Sequence, residues 1–164
     1  MLYSKQLKSA AILGIAATAM MGTGALASPG SGITPSSPLV TANLTDDIEG
    51  NHDRVKFQTK DATIVRVQSL TFGANSFSGW HHHPGIVVVA VQSGLVNLTD
   101  ANCGSRTYGP SSPNGAVFVE RDDGANEASS AAGAVVYATF IVPASNPPAS
   151  RYRVEDPVPS CVTP

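Results

Sequence analysis

The chain has 164 residues, of which only 13% are charged, with a formal balance of −2. That length suits one domain. Charge this far below the ordinary share of about 25% excludes a long solvated helix, a coiled coil and an acidic disordered chain. No stretch is rich in Lys or Arg, so nothing would release counterions from phosphates, and nucleic acid is excluded as a partner.

Residues 1–27 have the three parts of a secretory signal. Lys5 and Lys8 give a positive start, Ala10 to Ala27 carries no charge, and Ala25-Leu26-Ala27 offers small residues at −3 and −1. This predicts export, secreted or periplasmic, with cleavage after Ala27. A retained membrane anchor is the competing reading, but the small residues from Thr18 to Gly24 weaken it as a span, and no stable membrane association is expected after cleavage. Losing Lys5 and Lys8 takes the balance from −2 to −4. Residues 28–50, rich in Pro, Gly and Ser at their start, read as a flexible leader, and 51–164 as the folded domain with a C-terminal tail.

Export places Cys103 and Cys161, the only two cysteines, in an oxidising compartment. Neither sits in a Cys-x-x-Cys pair, so a disulfide is expected in preference to a metal role. It would tie the tail to a central loop, and the loop-entropy model gives such a closure about 4 kcal/mol.

With 15 Gly and 12 Pro, the rest is built for turns and short strands. Ala62 to Phe72 is rich in β-branched residues and alternates in part. Ile86 to Gln92 is a near-continuous apolar run, as expected of a strand buried on both faces, and Ser93-Gly94 then suggests a tight hairpin into Leu95 to Thr99. Ala116 to Glu120 and Val135 to Val142 read as further strands, and Arg151 to Glu155 as a short edge strand. Nothing sustains a helical period after residue 27. The pattern predicts an all-β, antiparallel sandwich or barrel.

Gly79-Trp80-His81-His82-His83-Pro84-Gly85 carries the chemistry. On a strand, His81 and His83 share one face, so two imidazoles can approach one metal ion, while His82 takes the other face. The alternative is a polar run capping a strand, or a turn set by Pro84-Gly85.

This segment resembles the first motif of the cupin superfamily, which runs Gly, five residues, His-x-His, three or four residues, Glu, six residues, Gly. His81 and His83 supply the pair and Gly94 the closing glycine. The spacing of the second motif starts at Gly115 and puts Asn126 at its histidine position. The likeness covers roughly residues 55–160 and is similar to small secreted single-domain bacterial cupins with a Gly-Trp-His-x-His-Pro-Gly segment. It implies a single-domain double-stranded jelly roll whose metal would be held by three His and one Glu.

Two of those four ligands are missing. The Glu position falls on Val87 or Val88, and the third His on Asn126, which leaves a weak carbonyl donor. Glu127 or Glu120 would substitute only if the loop register shifted. A divalent transition metal (Fe, Mn, Zn, Cu or Ni) therefore stands as an optional cofactor. The absent carboxylate favours a secreted binding protein that takes a small molecule in the barrel, with His81, His83, Asn126, Tyr137 and Trp80 as its polar and aromatic contacts. The alternative is a metal-dependent oxygenase- or isomerase-type enzyme using His81 and His83. A homodimer is compatible with either.

Overall fold

The computed structural model describes residues 29–121 and 124–162; the predicted signal lies outside the described residues. Within them the chain forms strands and no helix. In chain order these are β1 (Ser31–Pro35), β2 (Val40–Leu44), β3 (Ile48–His52), β4 (Val55–Thr59), β5 (Thr63–Phe77), β6 (His81–His82) and β7 (Ile86–Gly94). There follow β8 (Val96–Asp100), β9 (Ser105–Tyr108), β10 (Val117–Glu120), β11 (Asn126–Ser130), β12 (Ala134–Pro143) and β13 (Val154–Glu155).

Antiparallel pairing lays β5, β12, β7 and β10 side by side as one sheet, and β6, β11, β8 and β9 as the other. The far end of β5 crosses between them, pairing Ser76 and Phe77 with Ser130 and Ser129 of β11. These two four-strand layers, extended by β1 and β2 on β5 and by β13 on β6, form a double-stranded jelly roll, the barrel implied by the resemblance. Val87, Val89, Val91, Val136, Ala138 and Val142 fill its interior.

Three expectations need correction. The apolar run from Ile86 is buried on one face only: Val87, Val89 and Val91 point in, whereas Ile86 and Ala90 are exposed. An antiparallel sheet with one solvated face needs no more. Ser93-Gly94 does not make a hairpin, since β7 pairs with β12 and β10 while β8 pairs with β11 and β9. Gly94 turns the chain from one sheet to the other at φ +76, where a Cβ would meet the Gly133 carbonyl oxygen at 2.2 Å.

The third correction concerns the segment read as a leader. β1 pairs along the later half of β5 and β2 along its earlier half, and β3 pairs with β4 in a small separate hairpin. One edge of β5 is taken by β12, so its other edge presents N–H and C=O groups that need partners. Main-chain groups supply them whatever the side chains, which is why Pro-, Gly- and Ser-rich composition did not prevent strands here.

Cys103 and Cys161 form the expected disulfide, with Cα atoms 6.2 Å apart. It fastens the tail to the turn between β8 and β9. No helix among the described residues is long and apolar enough to cross a membrane.

Candidate metal centre

Inward parity on four adjacent strands produces one transverse row. Arg66 on β5 pairs with Phe140 on β12, Phe140 with Val87 on β7, and Val87 with Glu120 on β10. Side chains opposed in a ladder leave the sheet on the same face, so this row puts Glu120 inside the barrel. On the facing sheet, His81 of β6 is buried with His83 just beyond it, while His82 points the other way and donates from Nδ1 to Asp156 Oδ2 at 2.7 Å.

The three inward groups meet. His83 Nε2 lies 2.7 Å from Glu120 Oε2, His81 Nε2 lies 3.1 Å from His83 Nε2, and His81 Nε2 lies 4.0 Å from Glu120 Oε2. All three side chains are at least nine-tenths buried. Each imidazole has its other nitrogen committed: His81 Nδ1 donates to the Gly79 carbonyl at 2.8 Å, and His83 Nδ1 to the Tyr152 carbonyl. A ring whose Nδ1 carries the proton has a bare lone pair on Nε2. The backbone therefore fixes both tautomers with their lone pairs aimed at Glu120, an outer-shell arrangement typical of metal-ligating histidines.

The three groups can face one another this closely only with a proton or a cation between them. Burial above all pushes the His81 imidazole from its usual 6.5 down to about 4, against the pull of the Glu120 carboxylate. A proton is thus held poorly at His81, and a single proton could settle only one of the three contacts. A cation settles all three. Two imidazoles and one carboxylate are a donor set for Zn or for Fe, Ni, Cu and Mn, and three protein ligands leave positions open for another molecule.

The group lines a cavity of about 640 Å³, a size that suits a small ligand. Leu70, Phe72, Val89 and Val136 make its walls, and Pro29 to Ile33 border it from β1 and the residues before it. Arg66 and Gln68 both line it.

The other sequence-derived candidates stand apart from this cavity. Trp80 is buried without lining it, and its carbonyl accepts from the Asp156 N–H. Tyr137 has the outward parity of β12 and is exposed. Asn126 borders a smaller neighbouring cavity together with Glu120. It is paired with His81 across the β6–β11 ladder, and its Oδ1 is buried with no hydrogen-bond partner among the described residues. Glu127, the other carboxylate weighed as a substitute, is half-buried, and burial holds its carboxyl above the usual range. The inference of a pocket without a carboxylate is overturned by Glu120. The sequence signal for it was parity alone, since Phe118 and Glu120 share a face of β10.

No protein-family model matches the sequence, and no curated protein matches it. Among solved structures the chain is similar to a cupin domain from Bordetella pertussis Tohama I, at 18% identity over 71% of this chain and 97% of that one, with a TM-score of 0.41. It is also similar to the conserved SPY1581 protein of unknown function from Streptococcus pyogenes (14% identity, 65% and 77% covered, TM-score 0.42). A third match is salicylate 1,2-dioxygenase from Pseudoaminobacter salicylatoxidans in its gentisate adduct (12% identity, 46% and 19% covered, TM-score 0.39). The strand order described above, and not these matches, carries the fold assignment.

Proposed function

We propose that this chain is an exported metal-binding cupin that holds one divalent transition metal at His81, His83 and Glu120 and takes a small molecule in the adjoining cavity. The observation that carries the reading is the convergence of two Nε2 lone pairs and a carboxylate oxygen, all within 4.8 Å of one another. Asn126 Oδ1, unpartnered opposite His81, is the candidate fourth donor. When bound, such a metal would supply a Lewis acid with open positions. The protein's own part is to fix both imidazoles through Gly79 and Tyr152, to balance charge with Glu120, and to surround the site with apolar walls.

The carboxylate raises the enzyme reading, of oxygenase or isomerase type, above that of a metal-free binding protein. One fold hosts many chemistries, so the reaction is assigned no further than that. Export, with cleavage after Ala27, is part of the same proposal and agrees with the disulfide.

The test is metal content and metal titration of the purified mature protein beside His81→Ala, His83→Ala and Glu120→Gln. Stoichiometric metal in the parent, lost in all three variants, is the expected result. A parent that binds Zn or Fe no tighter than the variants would refute it.

A further inference from the structure

We propose that the cavity's ligand is a small organic carboxylate whose acid group pairs with Arg66 while its apolar body fills the barrel towards the metal centre. The inference deepens the function proposed above and rests on it for the identity of the far pole.

Arg66 is a cation set among hydrocarbon. Its guanidinium lies against the Tyr152 ring, with Cζ 4.6 Å from the ring centre, and within 6.0 Å of the Phe140 centre. Nη2 donates to Gln68 Oε1 at 2.8 Å, and Gln68 is itself anchored by donating from Nε2 to the Ser36 carbonyl. The Arg66 Nε–H is buried without an acceptor. Among the described residues no carboxylate pairs with Arg66, although the cavity's other cation, Arg153, is matched by Glu155. A half-buried guanidinium whose Nε–H is buried without an acceptor, and which has no counter-ion among the described residues, leaves donor capacity unused, and a planar carboxylate supplies charge and acceptors together through two parallel hydrogen bonds.

The far pole is placed to match. Phe140 stands between Arg66 and the metal ligands: its ring centre is 5.6 Å from that of His83 and 6.0 Å from Arg66 Cζ. A metal dication beside the single negative charge of Glu120 leaves that pole net positive as well. Both poles then attract an anion, and the walls between them attract its carbon skeleton. Benzoate and hexanoate have the required head and body; benzamide and hexanamide keep the body without the charge.

The experiment measures binding of these four compounds by calorimetry to the metal-loaded parent, to metal-free parent, to Arg66→Gln and Arg66→Lys, and to His81→Ala. At least one acid should bind about tenfold or more tighter than its amide, the loss expected when a hydrogen-bonded charge pair goes. Arg66→Gln should erase that preference while retaining stoichiometric metal. Arg66→Lys, which keeps the charge without the fork, should retain part of the preference, and it decides the matter should Arg66→Gln not fold. His81→Ala should lose metal yet still prefer acid to amide. Equal binding of acid and amide, no binding of either acid at millimolar concentration, or an undiminished preference in both Arg66 variants overturns the proposal. A preserved acid preference in a parent that binds no metal refutes the metal reading alone.

Discussion

Glu120 stands directly opposite Val87 in the β7–β10 ladder, so the carboxylate that motif spacing sought at position 87 is delivered from the next strand. Val87 and Glu120 are cross-strand neighbours on the inner face, and both line the cavity with His83.

This makes the site transferable. Glu120→Val should lower Zn or Fe affinity by more than the roughly 10–100-fold that losing an outer-shell partner costs. Adding Val87→Glu to it should recover a measurable part of that loss. Metal titration of the two variants in parallel decides the point, and a double variant as weak as the single one contradicts it.

Asn126 offers a second way in. Its side chain leaves β11 on the same face as His81, and its Oδ1 has no hydrogen-bond partner among the described residues. Asn126→His should add a third imidazole and tighten binding by about tenfold or more, whereas Asn126→Leu should leave a weaker site. Unchanged affinity in both would place Asn126 outside the coordination sphere.

Acid should loosen the metal-free barrel. Native His81 protonates near 4 but the unfolded chain near 6.5. Between these values the unfolded chain binds more protons, so stability falls as pH drops through that window, by at most about 1.4 kcal/mol per pH unit from this residue. Urea denaturation of chelator-treated protein at a series of pH values should show this slope, and His81→Gln should flatten it.

Replacing Cys103 and Cys161 together by Ser should cost about 4 kcal/mol on the loop-entropy account without changing the barrel. Guanidinium denaturation gives the cost, and circular dichroism shows that the strands persist. A loss below about 1 kcal/mol would mean that the tail is held mainly by β13 pairing on β6.

Gly94 and Gly115 separate backbone strain from contact. Both have left-handed φ, +76 and +82, but an added Cβ meets the Gly133 carbonyl at 2.2 Å at the first and nothing within 4 Å at the second. Gly115→Ala should cost about 1–2 kcal/mol, and Gly94→Ala distinctly more. Equal costs would show that the sheet-to-sheet crossing can relax.

The features legible in the sequence were those written within one strand. β-branched residues in partial alternation marked β5, and the two-residue spacing of His81 and His83 put both rings on one face. What stayed hidden depended on which strand lies beside which. Glu120 meets His81 and His83 because β10 pairs with β7 in a particular register, and a shift of one residue would have turned it to solvent. Arg66 has inward parity, but nothing local says that the inner face is hollow there. β1 and β2 form through main-chain bonds to an open edge of β5, a demand visible only once β5 exists.

The border that Pro29 to Ile33 give the cavity has a practical consequence. Under the proposed cleavage after Ala27 these residues would begin one position into the mature chain, which would put its amino-terminal end at the border of the cavity. Ligand affinity measured on chains cut at different points before Pro29 would then test whether that end takes part in binding.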